Sequence, residues 1–231
     1  MPRDTLTADR IVRAAIDLLD EEGLDGLNMR SLAQRLGSAA TAVYWHIKNK
    51  DDLVRLAGDA VWSEAEVPDL EGVDWRTAAA AHANAVYAML NRHPWLVQAF
   101  GSHLLYGPAQ ARHNDFSLAV YEKAGFAAAD ADRAAAAALA FVLGSTLGSA
   151  AQVSLNRRLN KSGEDAEELM ADAMSRATET ARQFPHLRRR LDTSAAAEYA
   201  GAPDRSFEFG LRALLDGFEA TLAAGRADGA P

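Results

Sequence analysis

The run from Asn28 to Leu53, NMRSLAQRLGSAATAVYWHIKNKDDL, sets two short apolar-periodic segments on either side of a single Gly37. Few folds accommodate that. In the first segment Met29, Leu32, Ala33 and Leu36 recur at helical spacing behind Asn28, whose side-chain oxygen can cap the free amides of a first turn. A helix of about two turns is expected there. Gly37 can take the positive φ that ends it, and Ala39 to Ile47 then resumes the period with Ala39, Val43 and Ile47 on one face. The pattern is a helix-turn-helix.

With Val43 and Ile47 turned inward, the second helix presents Ala40, Thr41, Tyr44, Trp45 and His46 outward. Small residues at Ala39, Ala40 and Ala42 would let such a helix lie deep in a major groove. From Gly26 to Lys50 there is no carboxylate, against Arg30, Arg35, Lys48 and Lys50. Other stretches of the chain are equally free of acids, so charge alone does not carry the assignment.

The run TAVYWHIKNKDDLVRLA, preceded by RSLAQRLG, resembles the DNA-binding domain of the tetracycline repressor family between Thr7 and Ala57. The resemblance implies an all-α chain. A three-helix helix-turn-helix DNA-binding domain would occupy 1–50, and a larger helical ligand-binding and dimerisation domain 51–231. Tyr44 and Lys50 are then expected on phosphates, with Arg30 and Thr41 on base edges or the backbone beside them. Ser38 joins the DNA-contacting set, Ala40 meets thymine methyls at most, and Trp45 and His46 border the groove.

A length of 231 residues with 49% hydrophobic content allows a substantial core beyond one small head. The formal charge of −8 requires any nucleic-acid contact to be local. No cysteine is present, which excludes disulfides and thiolate metal sites and is consistent with a reducing compartment. The chain starts without the apolar stretch of a signal peptide, and the longest candidate span, Ala134 to Val153, is interrupted by Ser145, Thr146, Ser149 and Gln152. A cytoplasmic protein without a membrane partner is expected.

Periodicity predicts helices almost throughout. Thr7 can cap a first helix that stops at Gly23, Lys50 to Val67 reads as a fourth helix ended by Pro68, and Asp74 can cap Trp75 to Asn91. A short helix follows Pro94 to Ser102, then Ala109 to Ala124, a long small-residue helix from Asp130 to Leu155, and Glu164 to Gln183 closed by Pro185. LDTSAAAEYAGAP looks least ordered, and Asp204 opens a last helix whose tail frays after Gly225.

The body resembles the C-terminal domain of the tetracycline repressor in order and punctuation: Gly125 and Phe126, a small-residue helix with Thr146, Leu147 and Gly148, and finally FEFGLRALLDGFEATL. That resemblance implies a homodimer formed through the long helix and the last one, with Gly144, Gly148, Leu211, Leu215 and Phe218 at the interface. The alternative for the glycines is close packing within one subunit. The matching places for that repressor's magnesium-chelating residues, near Glu66, Phe100, Gly144 and Gln152, offer one carboxylate, so neither that metal nor another cofactor is expected. His82 and His93 are eleven residues apart, roughly 16 Å along a helix, too far for one ion. Hydrogen-bonded histidines are the simpler reading.

What remains for the body is an apolar pocket. Tyr87, Trp95, Phe100, His103, Tyr106, His113 and Tyr121 are its candidate lining, with Phe116 and Phe141 read as packing residues. No phosphate loop, nucleophile elbow or His-Glu-x-x-His run points to an enzyme. The expected partners are therefore double-stranded operator DNA, a lipophilic or aromatic small molecule, and a second copy of the chain. A protein partner docking on the body is the alternative.

Overall fold

The computed structural model describes residues 6–162, 166–191, 193 and 203–228. Among them are eleven helices and no strand. The head comprises α1 (Ala8–Gly26), α2 (Met29–Arg35) and α3 (Ala40–Tyr44). Its caps are those the sequence specifies: Thr7 accepts from the Arg10 amide at 3.3 Å and Asn28 from the Ser31 amide at 2.9 Å. Gly37 sits at φ 60° between α2 and α3. Ile11, Ala15, Leu19, Leu32, Val43 and Ile47 are buried together, each large side chain contributing about 1.5–3 kcal/mol.

Two local expectations change. Helix α1 is kinked at Gly23 (φ 72°) and continues to Gly26 instead of stopping. Helix α3 is shorter than the Ala39–Ile47 segment: Ala39 is an exposed N-cap, and beyond Tyr44 the chain tightens as the His46 and Ile47 amides both donate to the Val43 carbonyl.

α4 (Lys50–Trp62) joins head to body. It ends before Val67, because the Ser63 amide turns back to Asp59 and Ala60 and the Trp62 carbonyl is taken by His113. The body comprises α5 (Trp75–Arg92), α6 (Pro94–Ala99), α7 (Pro108–Ala124) and α8 (Ala128–Ser162), followed by α9 (Ala166–Arg182), α10 (Pro185–Leu191) and α11 (Pro203–Asp228). Asp74 caps α5 through the Thr77 amide at 3.0 Å. Helix α8 runs past Leu155 because its basic end finds partners on α1: Arg157 donates to the Asp20 carbonyl at 2.7 Å and Lys161 pairs with Glu22 at 2.5 Å. By length and composition alone α8 could cross a membrane, contrary to the expectation from its internal polar residues, but here it packs against α5, α6 and α7. Pro185 opens α10 rather than merely closing α9, a position its fixed φ suits. The last helix continues beyond Gly225, while residues 194–202, most of the stretch expected to be least ordered, lie outside the described residues.

Candidate DNA-reading face and ligand cavity

Arg30, Thr41, Tyr44, Trp45 and His46 are exposed on one end of the head, Trp45 at 87%. No contact within the protomer explains so large an indole left in water just after a five-residue helix. The other assigned residues are placed differently. Ala40 is half-buried, and the Ser38 hydroxyl is enclosed without a partner. Lys50 is only partly exposed, and its ammonium donates to the Leu24 carbonyl at 2.7 Å, tying the start of α4 to α1. Phosphate binding would have to compete with that bond. Arg35 is paired with Glu21, whose carboxyl the guanidinium holds below its ordinary range. Among the described residues near α3, Arg30 has no carboxylate partner, and Lys48 has only the nearby charge of Asp52.

In the body, α4, α5, α7 and α8 enclose a cavity of about 230 Å³. Trp62 comes from α4, Ala79, His82, Ala83 and Val86 from α5, and His113, Ser117 and Tyr121 from α7; α8 supplies Ala135, Ala138, Leu139 and Val142. The exposed Asn114 and Ala136 mark its mouth. Of the candidate lining residues, His113 and Tyr121 are on the wall. Burial pushes the Tyr121 hydroxyl up to about 12.

The remaining five lie elsewhere because each has a stronger partner. Tyr87 stacks on Phe207 and donates to Asp204 at 3.0 Å. Trp95 is buried with its Nε1–H on Asp20 at 2.9 Å. Phe100 stands edge-on to Trp62, His103 reaches toward Asp51 at 3.5 Å, and Tyr106 is an exposed ring beneath Arg55. Phe116 and Phe141 pack, the latter stacked on Phe207. The residues that sequence reasoning missed include Trp62, His82 and the alanines whose small size leaves the space.

Three of the histidines fall into two environments. His113 Nε2 is 2.9 Å from the Trp62 carbonyl and its Nδ1 is 3.0 Å from His82 Nε2. Burial lowers both, His82 to about 4, so at neutral pH both rings are uncharged. His93 instead bridges Asp20 of α1, at 2.9 Å, and Glu64 just after α4, at 3.0 Å. Arg92 approaches Glu64 at 3.5 Å, and Arg157 binds the Asp20 carbonyl from the other side. Burial pulls His93 down, but the hydrogen bonds of Asp20 and Glu64 outweigh it and the net shift is upward. A raised folded value stabilises the protein fully below the unfolded value of about 6.5, and that stability is lost as pH rises through the folded value. The stability advantage of the native chain over His93→Gln is accordingly expected to shrink in thermal melts as pH rises above about 6.5. A difference independent of pH would refute the clamp. Among the described residues no three His, Asp or Glu side chains converge on a metal position.

On the proposed interface, Gly144 and Gly148 are exposed, and a Cβ built at either would meet nothing within 4 Å. Close packing within one subunit does not explain them. Leu211 and Leu215, however, are buried in their own protomer at 5% and 3%, and Phe218 packs edge-on against Tyr121 and Phe126. They serve the core because they form the most apolar face of α11. The outward stripe of that helix is Phe209, Ala213, Gly217 and Ala220, with Gly217 again open.

Residues 67–222 match the family described as "Tetracyclin repressor-like, C-terminal domain", and residues 11–57 match "Bacterial regulatory proteins, tetR family". The chain belongs to the tetracycline repressor family. It is similar to an HTH-type transcriptional regulator of Saccharopolyspora erythraea, 41% identical over 140 residues that span 61% of this chain and 59% of the relative's length. It is also similar to the HTH-type transcriptional repressor DrrR1 of Streptomyces coeruleorubidus, at 30% identity over 100% of this chain and 83% of that one. Among solved structures, the Streptomyces coelicolor TetR family protein ActR in complex with actinorhodin superposes with a TM-score of 0.73 at 26% identity, covering 94% and 97% of the two chains. The family is one of DNA-binding transcriptional regulators, not enzymes, and the alternative of a protein partner on the body finds no support in these relatives.

Proposed function

We propose that this tetracycline repressor family member is a cytoplasmic homodimeric repressor that holds a palindromic operator through α3 and is released when a small apolar ligand enters the cavity. The observation that carries the release step is the pair of bonds between α4 and α7. The first turn of α7 has no side-chain cap of its own, and Asp59 of α4 accepts from the Ala109 and Gln110 amides, both at 3.0 Å. A Cβ at Gly107 would collide with the Asp59 carboxylate, so a larger residue there would have to displace it. One turn further along, His113 holds the Trp62 carbonyl at the end of α4. A ligand that shifts α7 therefore drags α4, and Lys50 at the other end of α4 is bonded to α1. That ActR is seen with a bound small molecule supports a ligand in this architecture.

Displacement of α4 would change the separation of two recognition helices that must meet half-sites roughly 34–36 Å apart. The ligand has to bind the displaced arrangement more tightly than the operator-bound one. The reading head is tested on DNA selected from a random pool. Arg30→Ala or Thr41→Ala is expected to cost about 1–3 kcal/mol on the selected site and to relax base preference at one position. Equal losses on selected and random DNA for both variants would remove base reading from α2 and α3.

A further inference from the structure

His93 is 7% exposed at the joint between α5 and α6, and both of its ring nitrogens face carboxylates. Nδ1 is 2.9 Å from Asp20 of α1, and Nε2 is 3.0 Å from Glu64 in the turn that ends α4. An ionised carboxylate can only accept, so each nitrogen must carry a proton, and the ring that fits this place is the imidazolium. The neutral ring has a single N–H. It would set a bare lone pair against one of the two carboxylates, and that contact would open. The two sides are not held equally. Asp20 keeps a second donor in Trp95 Nε1–H at 2.9 Å, and its carbonyl is held by Arg157 of α8, which runs so close to the kink in α1 that a Cβ at Gly23 would meet its guanidinium at 2.6 Å. Glu64 is met otherwise by Arg92, at 3.5 Å, and its side chain is 39% exposed. Glu22 and Lys161, the next ion pair between α1 and α8, engage each other. Loss of the proton therefore lets Glu64 turn into water and leaves Asp20 in place.

Helix α4 is thus fastened to α1 at both ends, its start by Lys50 on the Leu24 carbonyl and its end by Glu64 through His93 to Asp20. From this geometry we infer that His93 is a proton-operated latch: protonated, it fixes the end of α4 against α1, and on losing its proton it releases Glu64 and lowers the affinity for operator DNA. Heads held at a set separation lose less freedom on meeting two half-sites than heads on a loosened joint, so the latched form binds more tightly. Although burial pulls His93 down, the two carboxylates bring it above its ordinary value of about 6.5. The latch is therefore fully engaged below about 6.5 and opens as pH rises through the folded value. The cavity takes no part, since burial holds His82, at about 4, and His113 uncharged throughout that window. The proton is an input of its own, added to the ligand and independent of it.

The test measures the affinity of the full-length protein for operator selected from a random pool, by fluorescence anisotropy at fixed ionic strength, on both sides of the titration of His93 as followed by its imidazole signal in NMR. The native chain is expected to lose at least about 5-fold in affinity as His93 deprotonates, and saturating operator to raise the pH at which His93 titrates by the corresponding amount. Glu64→Gln replaces an exposed carboxylate by an amide that accepts from the protonated ring and donates to the neutral one, so it should keep the high affinity and lose the fall. His93→Gln should bind at the lower level at every pH. If His93→Gln does not fold, Glu64→Gln decides alone. A native affinity that stays level or rises as His93 deprotonates would overturn the inference. So would a fall of the same size in Glu64→Gln, which would assign the titration to His46 on the reading face or to His103 beside Asp51. A cavity ligand without effect on operator binding would defeat the reading of release and leave this inference standing.

Discussion

A Gly148→Arg, Gly217→Arg double variant is expected to be monomeric and to bind the operator about 10²–10⁴-fold more weakly. Both glycines face open space in the protomer, so arginine can be accommodated there without disturbing the chain's own core. Between two copies it would meet the opposing helix. The stripe that would be covered, with Ala140, Gly144, Leu147 and Gly148 on α8 and Phe209, Ala213 and Gly217 on α11, is apolar, small and exposed, Leu147 at 60% and Phe209 at 67%. Such a face on a chain of net charge −8 has little reason to remain in water. A dimer gains operator affinity because the second head binds intramolecularly after the first, and losing that effective concentration accounts for the expected range. Sedimentation and operator titration of the same samples check it. A dimer that persists with full affinity would place the interface elsewhere. Leu215→Arg would not serve as the test, since Leu215 is buried in its own protomer and its replacement would disrupt the core.

Trp95→Ala is expected to lower stability by about 3–5 kcal/mol, the range for truncating a fully buried tryptophan. The ring is 1% exposed at the start of α6, and its Nε1–H is bonded to the same Asp20 carboxylate that His93 engages. The junction of α1 with α6 and α8 is built on that one aspartate, its carbonyl being held by Arg157. Trp95→Phe should keep most of the packing and lose about 1.5–3 kcal/mol for the hydrogen bond to a charged acceptor. Urea unfolding separates the two variants through the transition midpoint, provided the slope is unchanged. A loss under 1 kcal/mol for the alanine variant would mean that head and body are not joined through this cluster.

The parts of this chain that could be read from sequence are those determined within a few residues. Thr7, Asn28 and Asp74 each cap a helix through an amide three residues on, and Gly37 takes the positive φ that separates α2 from α3. The cavity was harder because its determinants are distant in sequence. Asp59 caps a helix fifty residues away, His82 meets His113 across thirty-one, and Arg157 reaches Asp20 across 137. Aromatic content pointed to rings that mostly lie off the cavity: Tyr87, Trp95 and Tyr106 have partners of their own, whereas alanines leave the empty volume. Trp62 escapes hydrophobic periodicity because α4 has neighbours on two sides. Sandwiched between α1 and α7, it buries Val54, Gly58 and Trp62 as well. On α11 the error has a general cause, because hydrophobic periodicity identifies a face that must be covered without saying whether its own core or a second copy covers it. Leu211 and Leu215 go to the protomer's own core, and the small residues beside Phe209 are left exposed.

The central claim is that cavity and reading head are two ends of one equilibrium. Thermodynamic linkage makes the coupling reciprocal, with typical values of 1–3 kcal/mol or about 5- to 150-fold. The direct measurement is the affinity of a cavity-bound small molecule for the protein, free and saturated with operator selected from a random pool. Operator is predicted to weaken ligand binding by the same factor by which ligand weakens operator binding, and Asp59→Ala, which cuts the cap between α4 and α7, to bring both factors toward one. A ligand that fills the cavity with the same affinity in the presence and absence of saturating operator would contradict the account.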